Sequence, residues 1–397
     1  MRVAVMALAI VSIALAASTL YKNRGRMVRS DFCLFYSWWN EYPAGIDPWH
    51  PVFPPSTPLT QRVNYCDYTP AAVILLSPLG RLEVNRAYWT WLGIQIGSLV
   101  LTILMLTRQI RPPPSADTVV AIVALAMLFP EFHATLYEAQ PTMLLLLILT
   151  AAWVFERSGH PVAAGLTLAL AALFKIYPAT LGGLFLFRRR FQPIAWAAVF
   201  TILGIVATGP GRWREFLSIG VPLNIHHWID PRAIAILSNV YSAIVKIHGG
   251  VPTAVFGPLN IGITATLDLA VIAGAAIVTL RAAEDRETDG LCFGLWLAVA
   301  LLISPLTWHH ELLLLMPLYI FAGVFAFRGG IDSPGGFGLL AIGLAGFVIT
   351  YFWGTLREIH LYFIMTVATY VAGCILVATR GSTRGAVEAP SHAASSL

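Results

Sequence analysis

Apolar runs of about twenty residues recur along the whole chain, separated by short charged or Pro/Gly-rich breaks. A bilayer core of roughly 30 Å is crossed by about 17–25 apolar residues in a helix. In lipid, each backbone polar group must be bonded internally, which a helix does within its own segment. The pattern therefore demands a multi-span helical membrane bundle. Only 11% of the 397 residues are charged, less than half the ~25% of a soluble domain, so a soluble enzyme is excluded. The apolar runs extend over the full length, which excludes a single anchored domain. With 57% hydrophobic residues, disorder is excluded too. The net charge of +5 does not point to nucleic acid, because the 25 Lys and Arg are scattered between spans rather than gathered in a patch.

Reading the runs gives about twelve spans of the length a helix needs, at 2–21, 87–107, 116–130, 140–156, 161–174, 176–187, 193–209, 259–280, 290–304, 310–327, 336–353 and 360–379. Several are short, which implies tilt, kinks or half-helices. The segment 68–82 carries Pro70 and Pro78 and reads as a re-entrant or surface-lying helix. The arginine and lysine bias orients the chain. With a cytoplasmic N-terminus, the short inner segments hold Arg2, Arg108, Arg111, Arg157, Arg188, Arg189, Arg190, Arg281, Arg286, Arg328, Arg380 and Arg384, against Lys175 and Arg357 in the short outer loops. Lys22, Arg24, Arg26 and Arg29 run against this rule. The expectation is a multi-pass protein of the bacterial plasma (inner) membrane with both termini cytoplasmic. One transmembrane domain spans 1–379, and a small, polar, disordered cytoplasmic tail follows at 380–397. The first span also resembles a signal peptide in its small-residue end, although its apolar region is long for one.

Polar residues, many of them titratable, collect on the outer side. Glu131, His133, Glu138 and Gln140 form one group, Lys175 and Tyr177 a second, and Trp308, His309, His310 and Glu311 a third. A charge at mid-membrane costs about 2.5–3.5 kcal/mol or more, so Lys175 and Glu311 must sit at helix ends or face a wet cavity, and Lys175 needs a counter-charge. The sequence describes a polar crater on one face of a bundle. A transporter or lipid-linked-sugar flippase is the alternative, but it would place polar groups mid-span on broken helices in both halves, and no internal repeat is visible. A non-catalytic membrane scaffold is the third reading.

The order of motifs adds a resemblance. The first long loop reads DFCLFYSWWNEYPAGIDPWHP and then YTPAAVILLSPLGRL. The stretches EAQPTMLLLLILTAAWVFERSGHPVAAGLTLALAALFKIYP, LSNVYSAIVKIHGG and SPLTWHHELLLLMP follow. Together, over residues 30–320, they resemble glycosyltransferase family 87 of the GT-C superfamily. Two departures stand out: Glu138-Ala139-Gln140 where a Gly-containing turn is usual, and Thr142 where Asn is usual. The resemblance implies a GT-C-type bundle with a long first extracytoplasmic loop. It also implies an inverting hexosyltransferase that moves a sugar, mannose by analogy, from a polyprenyl-phosphate donor to a lipid or glycan hydroxyl on the extracytoplasmic face.

Such a reaction needs a base at the acceptor oxygen, cationic or hydrogen-bonding groups on the departing phosphate, and a lipid groove. Asp31, just past the first span, is the expected base, although an aspartate after Ser30 also reads as a helix cap. Asp67 is the second candidate and also reads as a turn residue. One of His309 and His310 is expected at the leaving phosphate, since adjacent helical residues point about 100° apart and cannot serve one atom equally. Lys175 is the expected phosphate contact, with snorkelling to headgroups as its plainer role. Gln140, Tyr177, Trp308 and Arg29 are further substrate contacts. No metal and no cofactor is expected; the donor is a substrate, and the partners are that donor, its acceptor and membrane lipids. Tyr36, Trp38, Trp39, Tyr42 and Trp49 read more readily as an interfacial aromatic belt than as sugar-stacking residues. Cys33 and Cys66 share the outer loop, where a disulfide can form or stay open.

Overall fold

The computed structural model describes residues 2–23, 31–41, 44, 66, 68–221, 234–248, 257–305, 307–328, 338, 341 and 361–387. Every regular element among them is helical. In chain order these are α1 (Arg2–Asn23), α2 (Phe32–Glu41), α3 (Pro70–Gly80), α4 (Val84–Thr107), α5 (Ala116–Leu128), α6 (Pro130–Glu138), α7 (Thr142–Arg157) and α8 (Pro161–Phe174). A 3₁₀ turn (Tyr177–Leu181) leads into α9 (Gly182–Phe187), α10 (Phe191–Thr208) and α11 (Pro210–Glu215). After them come α12 (Ile236–Ile247), α13 (Pro258–Arg281), α14 (Arg286–Ile303), a second 3₁₀ turn (His309–Leu315), α15 (Met316–Arg328) and α16 (Leu361–Val387).

Local chemistry sets these boundaries. Thr69 caps α3, its hydroxyl accepting from Ala72 N–H at 3.2 Å, with Pro70 in the first turn where its missing N–H costs nothing. Asp285 caps α14 by accepting from the Glu287 and Thr288 N–H groups. Pro130 disfavours helical backbone at Phe129, whose extended ψ of 132° ends α5 and turns the chain by 61° into α6.

Among the described residues, six helices are long and apolar enough to cross a membrane, seven if α5 and α6 form one bent span. The twelve expected spans include shorter pieces. Helices α7 and α8 have 16 and 14 residues, and the run near 176–187 is a 3₁₀ turn joined to a six-residue helix. The segment 336–353 lies outside the description apart from residues 338 and 341. The expected helix near 68–82 is α3, an eleven-residue element packed on α2, α4, α8 and α10. The last helix continues to Val387, past the expected start of the tail at Arg380.

Helix α14 is the spine. From Thr288 to Leu302 every side chain is buried. It packs on α13, α15, α16 and the first 3₁₀ turn. Phe293 stacks on Trp153 of α7 at 5.0 Å, and Phe321 of α15 meets the same indole edge-on at 5.7 Å. Gly294 lets α15 come close: a Cβ there would lie 2.5 Å from the backbone nitrogen of Leu318.

The aromatic-belt expectation is corrected. Trp38 and Trp39 are 5% and 3% exposed; with Phe32, Phe35, Tyr68 and Trp91 they form an interior cluster of edge-on and tilted rings. The amphipathic spacing of α2 turns these rings inward onto α3 and α4. The space between them is about 10 Å³, marginal even for one water. Tyr42 and Trp49 lie outside the described residues.

Candidate active site

Two polar clusters sit at opposite ends of the same helices. Helix α7 runs from Thr142, two residues after Gln140, to Arg157, 16 residues and roughly 24 Å. Helix α14 runs from Arg286 to Ile303 with Asp289 in its first turn, 18 residues and roughly 27 Å, and leads toward the Trp308–Glu311 turn.

At one end, Asp289 is fully buried and collects arginines. Arg157 reaches its Oδ2 at 2.5 Å and Arg190 at 3.3 Å, and Arg188 Nε lies 3.4 Å from Oδ1. The Trp153 indole donates to Oδ2 at 3.0 Å, and Glu156 takes the other charge of the cluster by pairing with Arg190 at 2.5 Å. Arg188 also donates to the carbonyls of Ala282 and Ala283. Nearby segments join the same end: Arg2 pairs with Asp117, and Arg111 N–H donates to Glu287. Arg2, Arg111, Arg157, Arg188 and Arg190, which read as topology signals, are thus gathered at one end of the bundle, and the last three also tie α7, the α9–α10 turn and α14 together.

The other end holds the expected catalytic residues. Asp31 stands just before α2, half-buried, its carbonyl accepting from Phe35 N–H at 3.0 Å. Its Oδ2 accepts from Gln140 Nε2 at 2.5 Å. The Oε1 of Gln140 in turn accepts from the Tyr68 hydroxyl at 2.9 Å, which fixes the amide with its NH₂ toward the carboxylate. The charge of Asp31 is also felt at Glu138, two residues before Gln140.

Gln140 is delivered by a strained turn. Helix α6 ends at Glu138, and Ala139 takes the left-handed conformation, φ 55°. The Trp91 indole donates to its carbonyl at 2.6 Å, and Gln140 N–H returns to Thr135 O at 3.0 Å. No side chain of α7 caps its own N-terminus. Buried Gln95 of α4 does so instead, its Oε1 accepting from the Met143 and Leu144 N–H groups at 3.1 and 3.2 Å.

Lys175 ends α8 in extended backbone and is 9% exposed. Its ammonium lies 5.0 Å from the Tyr68 ring centroid, a cation–π distance. It donates to Glu311 Oε1 at 2.8 Å, and the Tyr177 hydroxyl donates to the same oxygen at 3.0 Å. The second oxygen, Oε2, accepts from the backbone N–H of Trp308 at 3.2 Å. Glu311 is therefore the counter-charge that the apolar flanks of Lys175 require.

His309 and His310 open a 3₁₀ turn, in which neighbours point about 120° apart. Their environments separate accordingly. His309 is half-buried and stacks on Tyr362 of α16 at 5.3 Å. His310 is 5% exposed, lies within electrostatic reach of Lys175, and its Nε2 has no hydrogen-bond partner among the described residues. Its carbonyl accepts from Thr135 of α6 at 3.4 Å.

One path of contacts thus runs Asp31, Gln140, Tyr68, Lys175, Glu311 and on to the histidine turn. The sequence-derived residues Asp31, Gln140, Lys175, Tyr177, Trp308, His309 and His310 all lie along it. Arg29 and Asp67 fall outside the described residues. Cys33 and Cys66 are not joined by a disulfide. Tyr68, Gln95 and the clamping role of Glu311 were not anticipated; for Glu311, a carboxylate in an apolar run opposite a lysine in another was the available signal.

A polar site at one end of an all-helical apolar bundle, with a carboxylate and a caged lysine in one network, fits a membrane enzyme. The chain belongs to glycosyltransferase family 87, whose profile matches residues 65–305. That match contains Tyr68, Gln140, Lys175 and Tyr177. It is 28% identical over 336 residues to the polyprenol-phosphate-mannose-dependent alpha-(1-2)-phosphatidylinositol pentamannoside mannosyltransferase of Mycolicibacterium smegmatis, covering 79% of this chain and 77% of the relative.

Proposed function

We propose that this membrane glycosyltransferase moves a sugar from a polyprenyl monophosphate to a hydroxyl of a lipid or glycan acceptor, on the extracytoplasmic face and with inversion. Mannose is the sugar assigned, by analogy with the relative's donor. The acceptor O–H gives its proton to Asp31 as the oxygen attacks the anomeric carbon. The bond from that carbon to the phosphate oxygen breaks on the opposite face, and polyprenyl phosphate leaves with the electron pair. Gln140 orients the Asp31 carboxylate. Lys175 and one histidine, with His310 favoured by its unpartnered Nε2, meet the charge that grows on the phosphate.

The observation that carries this reading is the unbroken contact path from Asp31 through Gln140 and Tyr68 to Lys175. It joins a carboxylate and an ammonium in one network with an aromatic face between them. The arginine bias supports a site away from the cytosol. The test is an assay of purified protein with a panel of polyprenyl-phosphate sugars and membrane lipid extract. Product from the mannose donor, lost in Asp31→Asn, is the expected result. Lipid or solute movement in proteoliposomes without sugar transfer would replace this reading with the transporter one.

A further inference from the structure

Lys175 does not wait for a phosphate with an open hand. Its ammonium is engaged by Glu311 at 2.8 Å, and Glu311 is 1% exposed. The carboxylate accepts from three donors: Lys175 and Tyr177 on one oxygen, Trp308 N–H on the other. An acceptor-only group on both oxygens is what this arrangement needs; an amide would turn its NH₂ against one set of donors. Tyr177 and Trp308 N–H hold Glu311 in place whether or not Lys175 stays. The lysine sits at the end of a helix on a four-carbon stem with rotatable bonds.

We infer that Glu311 is the exchange partner of Lys175: the ammonium passes from this carboxylate to the donor phosphate and is reclaimed when polyprenyl phosphate departs. The inference rests on the reading of Lys175 as the phosphate contact given above. Its chemistry is competition between two anions for one buried cation. A phosphodiester donor carries one negative charge, and the phosphomonoester product carries up to two. A lysine without a rival anion would hold the product more tightly than the donor and slow its release. Glu311 offsets that attraction, so it acts on turnover through Lys175 and is a positioning residue. Among the described residues, the groups facing Lys175 include Glu311, Tyr177, the Tyr68 ring and, within electrostatic reach, His310.

The test measures undecaprenyl monophosphate binding and steady-state transfer in purified full-length protein, for the parent, Glu311→Gln, Lys175→Met and the double variant. Glu311→Gln is expected to bind undecaprenyl monophosphate about tenfold more tightly and to lower both KM for the donor and kcat, the pattern of over-tight ground-state binding. The double variant is expected to show none of that gain. Glu311→Asp, whose shorter carboxylate is drawn away from the lysine, is expected to move in the same direction by less, and it decides the matter if Glu311→Gln does not insert. Weaker or unchanged binding in the Gln and Asp variants, in a parent that binds and transfers, overturns the exchange alone. A parent that neither binds the monophosphate nor transfers sugar overturns the underlying functional reading instead.

Discussion

The side-chain amide of Gln140 meets the carboxylate of Asp31 at 2.5 Å across 109 positions of sequence. This contact joins the start of α2 to the α6–α7 turn and places the expected base at the head of the contact path. Replacing Asp31 with Asn keeps the shape and removes the basic charge. Transfer from a polyprenyl-phosphate sugar should fall by about 10²–10⁴-fold, the usual range for a general base. Membrane insertion and yield should stay at the parental level, and full activity would remove Asp31 from the chemistry.

Tyr68 decides which way Gln140 points. Without its hydroxyl, the amide can turn its oxygen toward Asp31, where two acceptors repel. Tyr68→Phe keeps the ring over Lys175 and deletes only the donor. It should lower kcat by about tenfold, a loss of roughly one hydrogen bond's worth of orientation, with little change in KM for the donor. An equal rise in KM with constant kcat would refute this role.

Cys33 reports on Asp31 from two residues away. Burial first, and then the negative charge of Asp31, push its thiol above the ordinary range. The reactive thiolate is therefore scarce at neutral pH and grows as pH rises. Asp31→Asn deletes the second cause, so the thiol moves back down toward its usual value. Maleimide labelling of Cys33 at pH 8 should speed up in that variant, and an unchanged rate would separate the two residues. Buried Cys66 serves as the internal comparison.

Asp289 pairs with three arginines inside the opposite cluster. Removing it takes the ion-pair partner from the largely buried side chains of Arg157 and Arg188, while Arg190 keeps Glu156. Asp289→Ala should destabilise the protein by about 3–5 kcal/mol, the usual result of breaking a buried pair from one side. The measurement is thermal unfolding in detergent, and a Tm within a degree of the parent would show that the arginines find other partners.

Ala139 holds a left-handed backbone, φ 55°, which a side-chain-bearing residue adopts only at a cost of about 1–2 kcal/mol. Ala139→Gly removes the Cβ and keeps the Trp91 bond to the carbonyl. It should raise stability by about 1 kcal/mol or less, since glycine also loosens the unfolded chain. A fall in Tm would mean that the methyl group packs more than it strains.

The bundle was readable because apolar length is a local signal, carried by a few neighbouring residues. So was Lys175, whose flanks ALAALF and IYPATL leave an ammonium no water. What stayed hidden depends on pairing across the fold. Gln95 looks like one more polar residue in α4 until α7 arrives with an uncapped end. Glu156 and Asp289 look like loop charges until Arg157, Arg188 and Arg190 converge on them. Trp38 and Trp39 looked interfacial because indoles favour that zone; their inward turn follows from how α2 lies against α3 and α4.

The distance between the two clusters has a consequence for how a lipid is served. A rod of roughly 24 Å, the length of α7, is shorter than a hydrocarbon slab of roughly 30 Å. If the arginine end is anchored at the level of the inner headgroups, Asp31 and Lys175 are sunk beneath the outer ones. A phosphate tethered to an isoprenoid can then reach the lysine while its tail stays dissolved in the membrane, and the acceptor must lean in from above to meet it.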